Sequence, residues 1–411
     1  MSIQEKALSS REVFLSRSFL LSFSSFFFLW ISFDVFILFP LYILRNGGDS
    51  VDVGIQTAIF FFPAVVIRPV AGWLTDRIGR VKVVWFGSAL MLITSFLFLL
   101  FHGTYQQIRW ILGAVLFLRG LGFSSFFTAF FTYVADLSSP TNRARVIGMF
   151  GVSGLVAHGI APKLGEIVLH RHGFDGFFVF SGVLAFLSLC ISMFMKDKHV
   201  PAISEENGMD IFRTVTMARV NWIILPGAFA FGYAESSLDT FGAPYFDALQ
   251  KGSVGYYFLL YGLTAGVIRI FLGGLADRHS RWKLVVIFFA LFAAGVMLIS
   301  VEPVEHLYLL SAIVAGGAHG ILFPSMTAMA LDAHPARFRG TVTSVYTAVL
   351  EFGFAGGSFI LGIVVSAWGY RTMFVSASIV AFLFSIYVAL FHRRLTEKRQ
   401  SAIIDTSQIH N

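Results

Sequence analysis

The chain has 411 residues, 56% of them hydrophobic and only 13% charged, with a formal net charge of +7. An ordinary soluble domain carries about 25% charged residues, so the composition excludes a water-soluble globular protein and points to lipid as the solvent. The apolar residues come in runs of about 20, the length that a bilayer-spanning helix needs, and they lack the alternation of a membrane barrel strand.

In chain order the runs are 18–44, 53–75, 83–101, 110–136, 146–170 and 177–195, then 221–249, 255–276, 284–301, 307–332, 342–368 and 372–391. They predict an all-α membrane protein of twelve transmembrane helices. The expected division is an N-terminal six-helix bundle (1–195), a cytoplasmic linker (196–220), and a C-terminal six-helix bundle with a short cytoplasmic tail (221–411). The first run holds Asp34, is longer than a signal-peptide core and has no small-residue cleavage site after it, so it reads as a membrane helix. The lone Cys190 leaves no intrachain disulfide and reads as a packing residue. With the N-terminus inside, 21 Lys and Arg fall on the cytoplasmic side; the outer side holds 5, namely Arg45, Arg109, Arg171, Lys251 and Arg371. This bias satisfies the positive-inside rule and places both termini in the cytoplasm. The basic balance is thus topological and implies no nucleic-acid partner. The absence of any Asn-x-Ser/Thr sequence fits a bacterial inner membrane.

The halves repeat. Residues 66–82, VIRPVAGWLTDRIGRVK, and 267–283, VIRIFLGGLADRHSRWK, lie 201 positions apart and agree at 9 of 17 positions. A duplicated bundle is the sequence mark of transporters that rock two similar halves about a midplane site.

The first of these segments contains Gly72-Trp73-Leu74-Thr75-Asp76-Arg77-Ile78-Gly79-Arg80-Val81-Lys82. It resembles the G-x-L-x-D-R-x-G-R-x-K signature of the major facilitator superfamily, and its weaker copy, with Asp277 and Arg278, stands where that family expects one. Gly72 is expected to permit close helix approach and Gly79 a tight turn. The resemblance implies a gating motif in which Asp76, Arg77 and Arg80 work with Asp136, at the end of the fourth helix, to latch the cytoplasmic side. Arg119-Gly120-Leu121-Gly122 is similar to the family's membrane-embedded arginine motif, which implies proton coupling. An arginine inside a helix should face a cavity or a partner. Asp34 and Arg119 lie at matching depths, about 14–15 Å below the outer surface at 1.5 Å per residue, and are expected to pair. In the fifth helix, Gly148, Ala157, Ala161, Pro162, Gly165 and Glu166 resemble the family's antiporter motif, with two glycines replaced by alanine and the last by Glu166; this implies export.

The second half has its own candidates. Glu235 and Asp239 share one face of the seventh helix at i, i+4, and Asp239 precedes Pro244 much as Asp34 precedes Pro40. Glu351 and His319 complete the expected polar set of the cavity, with Tyr233, Tyr261 and Phe127 as candidate walls. Arg68 and Arg269, related by the repeat, are expected to reach the cytoplasmic headgroups. The pair His170 and His172 supplies too few ligands for a metal site, and no G-x-x-x-x-G-K-[ST] loop supplies a nucleotide.

Together these features describe a monomeric, non-enzymatic secondary transporter with no cofactor. Its expected partners are the lipid bilayer, a small-molecule substrate and protons. Alternating access with proton-coupled export of a small amphipathic or hydrophobic solute (a drug, metabolite or metallophore) is the leading expectation. Proton-coupled uptake of a metabolite is the alternative, and a non-transporting membrane sensor a distant one. The topology has a direct check in a chain whose Cys190 is replaced by serine. A cysteine at Gly103 should react with an impermeant thiol reagent added outside intact cells and one at Ser204 should not; the reverse pattern would overturn the orientation.

Overall fold

The computed structural model describes residues 10–139, 142–197, 221–272, 280–301, 306–334 and 339–408, and every regular element among them is helical. Residues 198–220 of the expected linker and 273–279 of the repeated motif copy, with Asp277 and Arg278, lie outside the described residues. A short helix, Ser10–Phe14, precedes the membrane helices. Those are α1 Arg17–Arg45 and α2 Ser50–Ile78, followed by α3 Arg80–Leu100 and α4 Tyr105–Leu137. The helix Arg143–Ser192 breaks at Gly173 (φ 66°), giving α5 (143–172) and α6 (174–192). Then come α7 Asn221–Leu249, α8 Val254–Leu272, α9 Arg281–Ile299 and α10 Leu307–Asp332. The helix Arg339–Gln408 breaks at Gly369 (φ 80°) into α11 (339–368) and α12 (370–408). The twelve predicted helices are all present. The glycine breaks fall at the same place in each half, because only glycine adopts a positive φ without strain.

Local sequence explains the details. Asp49 and Asp52 exchange backbone bonds of 2.9 and 3.0 Å as a capping box that starts α2. Within α1 the turn Val35–Leu38 tightens to 3-10 geometry just after Asp34. Pro40 follows; it lacks an N–H, and its ring disfavours a regular turn before it. Pairs of serines hold α1 to α6: Ser25 with Ser188 and Ser32 with Ser181, each at 2.9 Å between hydroxyl oxygens. Helices in lipid gain little from apolar contact, so hydrogen bonds and small residues carry their association. The lipid-facing surface is correspondingly rich in exposed large apolar side chains, with Trp73, Trp110, Trp222 and Trp368 exposed near helix ends, at interfacial depth.

The two bundles meet along two seams, α2 against α11 and α5 against α8. On the outer half the contact is backbone to backbone. A Cβ on Gly262 would stand 2.6 Å from the Cα of Gly159, and one on Gly54 2.5 Å from the carbonyl oxygen of Ser358. Polar groups reinforce this side: Arg45 of α1 bonds Asp247 of α7 at 2.7 Å, and Ser253 donates to Glu166 at 2.6 Å. Lys163 both pairs with Glu166 at 2.9 Å and lies 3.7 Å from the ring centre of Tyr256. Towards the cytoplasm no atom lies within 4 Å of where a Cβ would sit at Gly148 or Gly266. The structure is therefore closed on its outer side. Gly262→Leu should wedge this closure apart, because backbone blocks the new side chain. With Cys190 replaced, a cysteine at Thr240 should then be labelled from outside at least several-fold faster than in the Gly262 parent; equal rates would show that the seam does not close the outer path.

Candidate functional site

Two acid–histidine pairs occupy the middle of the molecule. In the first bundle, Asp34 of α1, 3% exposed, has its Oδ2 3.2 Å from Nδ1 of His158 on α5. In the second, Glu235 of α7 has its Oε1 3.2 Å from Nδ1 of His319 on α10, and the Tyr261 hydroxyl lies 2.7 Å from the same nitrogen. The His158 ring stands edge-on to Phe258 and Tyr261 of α8, so it bridges the bundles at the α5–α8 seam. Asp239, one turn beyond Glu235, lies within electrostatic reach of His158, Glu235 and Asp34 and makes no described hydrogen bond. With Asp34 it lines a cavity of about 80 Å³ whose other walls include Phe33, Phe60, Phe61 and Phe354. No three metal-ligating side chains converge among the described residues.

The expected Asp34–Arg119 pair does not form. Arg119 is fully buried in the first bundle and is held by neutral groups. Its Nη2 donates to the Ser32 carbonyl at 2.7 Å and the Ser181 hydroxyl at 3.1 Å; its Nη1 donates to Ser95 at 2.9 Å and the Met91 carbonyl at 3.2 Å. The Phe36 ring lies 3.6 Å from the guanidinium carbon. Depth matching found the correct turn of α1, since Ser32 is two residues from Asp34. Two residues are about 200° of helix rotation, so the two side chains leave α1 on opposite faces.

Arg68 corrects a second expectation. Instead of reaching the headgroups, it is buried and forms an ion pair with Glu351 across the α2–α11 seam, over the ring of Phe127 at 4.8 Å. Its repeat mate Arg269 also stays inside, above the Phe323 ring at 5.9 Å. Tyr233 is buried and stacks on Phe229. In the loop motif, Arg80 donates Nε to Asp136 at 2.8 Å, and in the second half Arg281 pairs with Asp332. Gly79 takes φ 105°, and the Asp197 carboxylate occupies the space a Cβ would need. Arg77 lies over the Trp73 ring at 5.0 Å. Gly72 has no neighbour within 4 Å of a Cβ position, so it makes no close helix contact here. Gly165 meets Leu38 and Val35 of α1, and Pro162 lies within α5.

His158 was absent from the expected set. One signal for the site was present: the first helix of each half carries acids before a proline, Asp34 before Pro40 and Glu235 and Asp239 before Pro244, and in each half one such acid meets a histidine.

A family model described as the Major Facilitator Superfamily matches residues 18–252 and 224–408. The chain belongs to the Major Facilitator Superfamily and is a membrane transporter. An uncharacterized MFS-type transporter of Burkholderia pseudomallei is 23% identical over 352 residues, 82% of each chain. Another, of Salmonella typhimurium, is 24% identical over 373 residues, covering 87% of this chain and 92% of its own. The solved nucleoside transporter NupG superposes with a TM-score of 0.74 over 91% of this chain and 99% of its own at 12% identity, a likeness of fold.

The Arg68–Glu351 pair predicts a stability pattern. Removing one partner of a buried pair leaves an uncompensated charge and costs about 3–5 kcal/mol, whereas replacing both with apolar groups is often neutral. Arg68→Met and Glu351→Leu should each lower the melting temperature in detergent, and the double variant should regain most of the loss. Additive losses would refute mutual neutralisation.

Proposed function

We propose that this transporter works by alternating access coupled to protons, and that it exports a small amphipathic or hydrophobic solute across the bacterial cytoplasmic membrane. The observation that carries the coupling is the buried Asp34–His158 pair beside the unpaired Asp239. Histidine is the side chain whose charge its surroundings most readily change, and an ionisable pair inside a membrane protein ordinarily marks a proton or substrate path. Three acids (Asp34, Glu235, Asp239) face two histidines (His158, His319), so the fully ionised cluster carries one surplus negative charge. A proton and a basic group on the solute compete for that surplus, and competition for one carboxylate makes exchange obligatory. The Glu235–His319–Tyr261 group is the second coupling candidate.

Export is assigned on the α5 sequence around Gly148, Pro162 and Gly165, and the gating role on Gly72, Asp76, Arg77, Gly79, Arg80 and Asp136 rests on the loop motif. We read the chain as a monomeric transporter without enzymatic activity, divided at the 196–220 linker. Purified protein in liposomes gives the test, with an imposed pH gradient and the small-molecule extract of the host cell as solute source. Asp34→Asn, which imitates permanent protonation, should stop gradient-driven accumulation yet preserve solute exchange at equal pH. His158→Gln should slow the driven flux by about tenfold or more, in line with a charged hydrogen bond worth about 1.5–3 kcal/mol. If Asp34→Asn concentrates solute as the parent does, the pair is structural and coupling must be sought at Glu235.

A further inference from the structure

The repeat leaves one charge unanswered. Arg68 and Arg269 are equivalent by the offset of 201, and Arg68 is neutralised by Glu351 across the α2–α11 seam. By the offset of 196 that relates Arg143 to Arg339 and Gly173 to Gly369, the position equivalent to Glu351 in the other seam is Leu155 of α5, a buried apolar residue. Arg269 therefore has no acid at that place, and no ion pair among the described residues. Its Nε and Nη2 are buried and without a hydrogen-bond partner among the described residues. Its Nη1 points across the seam at Gly151 of α5, where it is the one atom within 4 Å of a Cβ position, at 3.8 Å. Below it lies the Phe323 ring.

An unpaired guanidinium inside a membrane protein is costly, and a second bundle shows that this fold supplies a carboxylate at the equivalent place when the charge is to be silenced. We propose that Arg269 receives an acidic group of the transported solute, a carboxylate or phosphate, in the gap at Gly151. Three features suit that role. The planar guanidinium offers paired donors to such an oxyanion. Glycine at 151 leaves room where a side chain would fill the gap, and the aromatic face of Phe323 gives an apolar flank. Tyr261, two turns along α8, lies within electrostatic reach of both Arg269 and Asp239, so the same seam holds an unpaired positive and an unpaired negative charge. The assignment rests on the transport reading and adds the chemical class of its substrate.

The test uses the full chain in liposomes of phosphatidylcholine alone or with one-fifth phosphatidylglycerol, as parent, Arg269→Gln and Arg269→Lys. Each is supplied with the small-molecule extract of the host cell, and accumulated solutes are identified by mass spectrometry. The expected solute bears a carboxylate or phosphate, and its methyl ester is not carried. Arg269→Gln should cut its transport by about ten- to a hundredfold, the worth of a charge-assisted hydrogen bond; Arg269→Lys should restore part of it. Solute-driven proton movement through the parent, read with an internal pH dye, separates the two readings. If no extract moves protons or accumulates, the transport reading fails and this one with it. If the parent carries a neutral or purely cationic solute at a rate that Arg269→Gln leaves unchanged, transport stands and the acid site is overturned. If parent activity requires phosphatidylglycerol and Arg269→Gln abolishes only that requirement, the oxyanion is a lipid headgroup and the solute assignment is wrong.

Discussion

Hydrocarbon cannot solvate a charge, so an ionised group inside this molecule must find its stabilisation in another part of the chain or in what the chain binds. That requirement organises the structure. Arg119 meets it within one bundle through hydroxyls, carbonyls and an aromatic face. Arg68 meets it across a seam with a carboxylate. Asp34 and Glu235 meet it with histidines, which can lose their charge. The three solutions differ in permanence. The first lies within one bundle, the second ties two bundles together, and the third pairs a carboxylate with a group that can take up or lose a proton.

The seams answer a different constraint. Two bundles joined along two seams here touch closely on the outer side and stand apart at Gly148 and Gly266, which side chains interlocked along the full length would forbid. Glycines at 54, 159 and 262 bring backbones into contact on the outer half, where the polar links of Arg45, Lys163 and Glu166 also lie. Such links are short-range and partly exposed, so each contributes little alone. The outer closure is thus made from several weak contacts and close glycine packing.

Sequence made the helices legible because a bilayer imposes their length, and the glycine breaks at 173 and 369 did not disturb the reading. Depth along a helix was legible for the same reason, since 1.5 Å per residue is fixed. Direction around the helix axis was not. Asp34 and Ser32 share a depth and face opposite ways, so a carboxylate at the right level was assigned to an arginine that it does not meet. His158 escaped because an isolated histidine in an apolar run carries no periodic signal. The internal repeat was the better guide, since it places an acid before a proline in the first helix of each half, and in each half one such acid meets a histidine. It also marks the seam position where the halves differ, Glu351 against Leu155.

The neutral cage around Arg119 has an effect beyond its own stability. A guanidinium without a counter-charge leaves a standing positive potential inside the first bundle. At about 8 Å and an effective dielectric near 20, it opposes another unit positive charge by about 2 kcal/mol, roughly thirtyfold in population. Any chain of water that formed between α1, α3, α4 and α6 would meet this barrier to hydronium and to small cations alike. The bundle is thereby insulated, and a membrane kept energised by an ion gradient is protected from short-circuit through the helices that move within it.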